Sequence, residues 1–225
     1  MLLTDSSKVN LESVMAIPSA IAASEETPEE SREAKRLGIL KAAARIFNER
    51  GYHQTSVADV AEALGVSKPF LYYYLKNKDD ILFECLRIAT EELHRMLDSV
   101  HAADLSGWDL LVRLLRGYAQ VMTTDFGICL IRNTAPGFLS PQARDKLWTG
   151  RRRLNSEVER IIAQGIADGS IRNCDPKIAS FALFGAFNWI SFWYRDDGPL
   201  NAQTIADYYI NLFARGIVPA DVQEK

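Results

Sequence analysis

With 225 residues, 48% of them hydrophobic and 24% charged, the chain is long enough for one large or two modest domains and has the composition of a soluble globular protein. A net charge of −3 reads against a nucleic-acid partner until it is split by region: residues 31–80 hold nine Lys or Arg against six acids, while residues 1–30 hold one Lys and six acids. Three widely spaced cysteines (Cys85, Cys129, Cys174) and three histidines (His53, His94, His101) show no CxxC, no HExxH and no i,i+4 pair, which argues for reduced thiols and against a zinc site.

Helix formers dominate and no run of alternating β-branched residues competes with them, so the expected fold class is all-α. In chain order, residues 1–31 read as an N-terminal extension. Its apolar run from Val14 to Ala23 resembles a signal peptide only weakly, because Asp5 and Glu12 precede it and Pro18 interrupts it. No apolar segment is long enough to span a bilayer, and the expected localisation is cytoplasmic. Ser31 reads as a cap for a first helix over about Arg32–Arg50, with Leu37, Leu40, Ala44 and Phe47 inward, and Gly51 as its left-handed end.

The stretch Thr55–Lys78 reads as two short helices around a tight turn. Thr55 or Ser56 caps the first, Val57, Val60, Ala61 and Leu64 give its apolar face, and Gly65-Val66 makes the turn. Ser67 caps the second, with Pro69 in its first turn. This is the helix-turn-helix pattern, whose second helix enters the DNA major groove. Leu71 and Leu75 form its inward i,i+4 pair. Lys68, Phe70, Tyr72, Tyr73 and Tyr74 are left for other faces, since neighbours on a helix point about 100° apart. Asn77 then caps a helix of roughly six turns to about Val100, with Asp80 at the capping-box position; Lys78, a cation at the start of that helix, suits a shared phosphate.

Punctuation divides the remainder into helices at Trp108–Thr124, Ile128–Asn133, Pro141–Asp168 (closed by Gly169), Pro176–Tyr194 (capped by Asp175) and Asn201–Arg215, with Ala135-Pro136-Gly137 as a breaker. Residues 32–79 are thus expected as a DNA-binding domain, 80–217 as a second helical domain and 218–225 as a tail. The helix from Pro176 is apolar nearly all round, which suits a two-fold interface; Phe181, Phe184, Gly185, Trp193, Tyr208, Tyr209 and Leu212 are its candidates. Between Met122 and Trp148 apolar groups mix with cations, as around a ligand with an apolar body and an anionic group.

The residues Ile39-Leu40, Ala43, Phe47, Gly51-Tyr52, Thr55-Ser56-Val57, Asp59-Val60-Ala61, Gly65-Val66-Ser67, Leu71-Tyr72-Tyr73-Tyr74 and Lys78 resemble the N-terminal domain of TetR/AcrR-family repressors over about fifty residues. Two positions depart from that pattern: Phe70 replaces a small residue and Leu75 an aromatic. About nine helices in this order also resemble that family, whose C-terminal domain binds a small molecule and dimerises. The phrase Phe187-Asn188-Trp189, Phe192-Trp193-Tyr194-Arg195, Gly198-Pro199-Leu200, with Ile205-Ala206-Asp207 and Gly216, looks like a subset that responds to acyl-CoA thioesters.

The resemblance implies a regulator, expected to be a repressor released from a palindromic operator by a hydrophobic or acyl-CoA-type ligand, acting as a homodimer on double-stranded DNA without a cofactor, metal or membrane. Candidate DNA contacts are Thr55, Ser56, Ser67, Lys68, Pro69, Phe70, Tyr72, Tyr73, Tyr74 and Lys78. Candidate ligand contacts are Met122, Phe126, Cys129, Arg132, Phe138, Trp148, Arg152, Asn188, Trp189 and Phe192. An enzyme would need a nucleophile–base pair or a phosphate loop, and no GxSxG or Gly-rich loop is present. The remaining alternative, a helical interaction module without sequence-specific DNA binding, leaves the Lys and Tyr display of residues 68–78 unexplained.

Overall fold

Nine helices and no strand make up the described residues of the computed structural model, which are 27–100, 104–133 and 141–215. Expectations for residues 1–26, the 135–137 breaker, Phe138, His101, Gly216 and the 218–225 tail lie outside them. The chain falls into two units, Met1–Glu84 and Cys85–Lys225.

In the first unit, α1 (Pro28–Arg50) starts earlier than the Ser31 cap expected from sequence. Thr27 is the N-cap: its hydroxyl accepts from the Glu30 amide, and Glu30 accepts in return from the Thr27 amide at 2.8 Å. With Pro28 at the first helical position this is a complete capping box, and it outcompetes Ser31. Leu40, Ala44 and Phe47 of α1 are buried as expected, together with Ile39, Ala43 and Ile46, whereas Leu37 stands 46% exposed, so the stripe is wider on one side and excludes its expected first member. Gly51 ends the helix at φ 82°, ψ 147°, a region open to glycine but outside the left-handed helical well.

Helices α2 (Val57–Ala63) and α3 (Lys68–Tyr74) follow, turning at Gly65 with φ 64°. Ser56, not Thr55, caps α2, in a reciprocal box with Asp59. Val60, Ala61, Leu71 and Leu75 close the small core with Phe47, Tyr52, Ile81 and Leu82. Helix α4 (Lys78–Val100) begins here: Asn77 accepts from the Asp80 amide at 2.8 Å, while Asp80 accepts from Lys76 rather than from Asn77.

In the second unit α5 (Gly107–Met122) is central, packed on α7 (Pro141–Ala167), α8 (Pro176–Trp193) and α9 (Ala202–Arg215). Leu110, Leu111, Leu114, Leu115, Tyr118, Ala119 and Met122 repeat at helical spacing and are buried. Residues 125–127, which the sequence leaves between two helices, are themselves helical. Thr124 caps a new helix there, α6 (Asp125–Arg132), and Gly127 lies inside it. A Cβ on Gly127 would sit 1.8 Å from the Val121 carbonyl oxygen, so that glycine permits a close approach instead of breaking the chain. The start of α5 and the end of α7 also meet backbone to backbone: a Cβ on Gly107 would lie 2.2 Å from the Gly165 nitrogen and 2.3 Å from its Cα.

The Asp168 carboxylate accepts from the Gly107 amide at 2.7 Å and from the Ser170 amide at 2.9 Å. Hydrogen bonds from the Ser170 hydroxyl and these amides hold its pKa below the usual carboxylate range. The Ser56 amide and hydroxyl do the same for Asp59, and Arg116 and Gln203 for Asp207. Because these folded-state values are depressed, their contribution to stability is present above the ordinary carboxylate pKa and is lost as pH falls through the folded values. Helical signal followed by circular dichroism should therefore hold from neutrality and decline only below about pH 4; Asp168→Asn should make that decline shallower, and an unchanged acid limb would rule Asp168 out as a contributor.

Candidate nucleic-acid interface and ligand cavity

The outer face of α3 is built by exclusion. Leu71 and Leu75 are 1% and 3% exposed, and their burial turns Lys68, Phe70, Tyr72 and Tyr73 outward. Tyr74 is half-buried. Its ring packs 5.2 Å from that of Phe70 and 5.0 Å, edge-on, from that of Tyr73; the Arg32 guanidinium lies over Tyr73 at 5.2 Å. Ser67 caps the helix, its hydroxyl accepting from the Phe70 amide, and Pro69 occupies the first turn without removing a hydrogen bond. Tyrosine hydroxyls on this face suit phosphate oxygens, and Lys68 suits a base edge or a phosphate.

Other polar groups of the head are engaged within it. Thr55, an expected DNA contact, is 2% exposed and its hydroxyl donates to the Gly51 carbonyl at 2.9 Å, so it braces the turn and cannot reach a ligand. Arg36, on the charged face of α1, is held by Glu84 at 2.5 Å and Glu33 at 3.1 Å. Lys78 is half-buried: its ammonium donates to the Tyr52 carbonyl at 3.0 Å and lies 4.1 Å from the centre of the Tyr52 ring. The Tyr52 hydroxyl in turn donates to Asp79. Burial first, and then Asp79, push the Tyr52 pKa up, so it stays a neutral donor. These contacts explain how a cation is tolerated at the start of α4. An ammonium carries three donors, so further donors remain for a phosphate.

In the second unit a cavity of about 300 Å³ opens between five helices. Thr90 and Leu93 of α4, Tyr118 of α5, and Leu130 and Ile131 of α6 form part of its wall. Residues Arg144, Leu147, Trp148, Gly150, Arg151, Leu154 and Asn155 of α7 and Phe181, Phe184, Gly185 and Asn188 of α8 complete it. The wall is mainly apolar, with one internal polar pair: the buried Tyr118 hydroxyl donates to Asn188 Oδ1 at 2.6 Å. Burial raises the Tyr118 pKa, which keeps the phenol protonated. Two exposed cations, Arg144 and Arg151, supply positive charge, the latter 5.7 Å from the Trp148 ring centre.

Of the ligand contacts expected from sequence, the cavity gathers Trp148 and Asn188. Met122, Phe126 and Cys129 are buried in the packing of α5 and α6 and do not line it. Arg132 points to the end of α8, donating to the Ser191 and Phe192 carbonyls at 2.8 and 3.1 Å, and burial lowers its pKa. Arg152 is exposed and absent from the lining; its neighbour Arg151 takes that place, as the 100° step between adjacent residues requires. Trp189 and Phe192 stack at 5.0 Å on the outer face of α8.

That outer face runs through Ile178, Phe181, Gly185, Trp189 and Phe192 at three- and four-residue spacing, and Tyr208, Leu212 and Phe213 stand exposed on α9. Among the expected interface residues, Phe181, Gly185, Trp193, Tyr208 and Leu212 are exposed. Phe184 is 8% exposed and belongs to the core, and Tyr209 is half-buried against the Phe187 ring at 5.4 Å. Among the described residues no helix is long and apolar enough to cross a membrane, and no group of His, Cys, Asp and Glu is placed to hold a metal ion.

Comparison with known proteins follows the same division. The profile of the family described as "Bacterial regulatory proteins, tetR family" matches residues 39–85, and that described as "Tetracyclin repressor-like, C-terminal domain" matches residues 104–217. Among solved structures, the TetR family transcriptional regulator PfmR from Thermus thermophilus is 32% identical with a TM-score of 0.72, covering 80% of this chain and 99% of its own. A structure of AibR in complex with isovaleryl coenzyme A and operator DNA is 25% identical with a TM-score of 0.69, covering 79% of this chain and 97% of its own. The HTH-type transcriptional repressor KstR2 of Rhodococcus jostii is 23% identical over 192 residues, 83% of this chain and 92% of that protein.

Proposed function

The chain belongs to the TetR family of bacterial regulatory proteins, and from that premise we propose that it is a homodimeric repressor released from a palindromic operator by a small ligand. The observation that carries the reading is the outward display of Lys68, Phe70, Tyr72 and Tyr73 on α3, the second helix of the helix-turn-helix. Residues 27–84 act as the DNA-binding head and residues 85–215 bind ligand and dimerise. Two copies of α3 occupy successive major grooves about 34–36 Å apart, with Ser56, Ser67, Tyr72, Tyr73 and Lys78 serving backbone phosphates and Lys68 a base edge. The reading assigns no catalytic step, and its place of action is the cytoplasm.

The ligand enters the cavity between α4 and α8. Its apolar wall suits an acyl or other hydrophobic body, and Arg144 and Arg151 suit phosphate or carboxylate groups. AibR, crystallised with an acyl-coenzyme A and operator DNA, supports an acyl-CoA-type effector. Because α4 carries both Lys78 and the cavity residues Thr90 and Leu93, a ligand that alters this helix weakens DNA binding, and by linkage DNA weakens ligand binding to the same extent.

A gel-shift titration on the DNA flanking the protein's own gene, at two salt concentrations, tests this. A specific complex should form, lose affinity with salt in proportion to several phosphate contacts, and dissociate on addition of acyl-CoAs within a range of chain lengths. Lys78→Ala should flatten the salt slope by about one, and Tyr72→Phe should weaken all sequences alike. Equal, weak binding to every duplex would refute the repressor and leave the interaction module.

A further inference from the structure

We propose that Phe70 reads the C5-methyl group of a thymine in each operator half-site. This rests on the repressor reading above and adds to it a specificity-determining residue and the base it selects.

Phe70 is 40% exposed on the face of α3 assigned to the major groove, while Leu71 of the same helix and Leu75, which caps its C-terminal end, fill the core. A singly exposed apolar side chain on an ordinary surface needs no explanation. On a face that meets DNA it is informative, because a phenyl ring carries neither donor nor acceptor. It cannot bond a phosphate or the polar edge of a base. The apolar group that B-DNA presents in its major groove is the thymine methyl, and apolar side chains discriminate at that group.

The ring is also held in place. Tyr74, four residues on and itself half-buried, packs 5.2 Å from Phe70; Tyr73 meets Tyr74 edge-on at 5.0 Å, and the Arg32 guanidinium of α1 covers Tyr73 at 5.2 Å. Phe70 therefore meets the groove as the free end of a braced aromatic row and loses little side-chain freedom on contact. Tyr74, by the same geometry, is a positioning residue for Phe70 rather than a DNA contact.

The test uses the full-length protein. An operator is first selected from a random duplex pool, and each thymine in it is then replaced by deoxyuridine, which removes the methyl and leaves every hydrogen-bonding group. At one symmetry-related thymine the replacement should weaken binding about fourfold in a single half-site and about fifteenfold in both, the scale of one buried apolar carbon each time. Phe70→Ala should bind the unmodified operator more weakly, show no thymine-to-uracil difference at that position, and keep the wild-type salt slope, since no phosphate contact is lost. Phe70→Leu, which retains an apolar surface, should keep part of the difference. A selected operator with no uracil-sensitive thymine, or a Phe70→Ala protein that still discriminates as the wild type does, would overturn the assignment while leaving the repressor reading intact. Failure to select any operator would overturn both.

Discussion

Trp189→Glu combined with Leu212→Glu should leave a folded monomer that binds its palindromic duplex at least about a thousandfold more weakly than the native protein, approaching non-specific affinity. Trp189 is 60% exposed and Leu212 is 45% exposed, so neither substitution disturbs the core. Both lie on the apolar stripes of α8 and α9 that the proposed dimer would bury. In a two-fold interface each change occurs twice, so four carboxylates are brought into contact with apolar surface, each without a partner. The subunits separate, and a single α3 then retains one half-site. Sedimentation equilibrium with a gel shift on the same sample checks both parts. A double variant that remains dimeric would move the interface away from these stripes.

Gly107→Ala should lower the stability of the second unit by about 3 kcal/mol, which is a fall of about 6–12 °C in Tm at about 2–4 °C per kcal/mol. The added methyl has nowhere to go: the Gly165 nitrogen and Cα are 2.2 and 2.3 Å away, and the Ile161 carbonyl oxygen 2.9 Å. All are backbone atoms, so relief requires moving a helix, and that movement also strains the bond from the Gly107 amide to Asp168. Gly38→Ala is the control. It sits inside α1 with nothing within 4 Å of the new carbon, and should instead stabilise by about 0.5–1 kcal/mol through helix propensity. Thermal melts of the two variants should move in opposite directions; a neutral Gly107→Ala would mean that the crossing of α5 and α7 is not tight.

The head was the most legible part of the chain, because its signals are local. Ser67, Pro69 and Gly65 act within a few residues of where they stand, and Leu71 and Leu75 state which face is inside. The errors there have physical causes. Leu37 satisfies helical spacing with Leu40, Ala44 and Phe47 as well as Ile39 and Ile46 do, and which of them joins the buried stripe is decided by tertiary packing, which no local pattern contains. The box Thr27-Pro28-Glu29-Glu30 was present in full but sits in an acidic stretch that reads as solvated. Gly127 resembles a breaker because glycine is the usual punctuation; its role depends on the Val121 carbonyl opposite it.

The cavity is the least legible, because its lining residues are spread from Thr90 to Asn188 over five successive helices. Asn188 is marked by the family resemblance and Trp148 by its place among cations. Tyr118 carried no signal beyond that of a core position in an amphipathic helix, and its polar role appears only when Asn188 is 2.6 Å away. Phe184 reads from sequence as an interface residue although it is buried, because α8 is apolar on every side and sequence alone cannot divide its faces.

The contact between Gly107 and Gly165 also restricts how α7 can respond to whatever fills the cavity. With no side chain between the two backbones, that end of α7 has no lubricating layer over which to slide, and it acts as a pivot. Gly150, in the cavity wall, is fifteen residues away along the same helix, a lever arm of about 22 Å. An occupant that pushed on Trp148 or Arg151 would tilt α7 about that contact, with a displacement that grows with distance from Gly165 towards the Pro141 end.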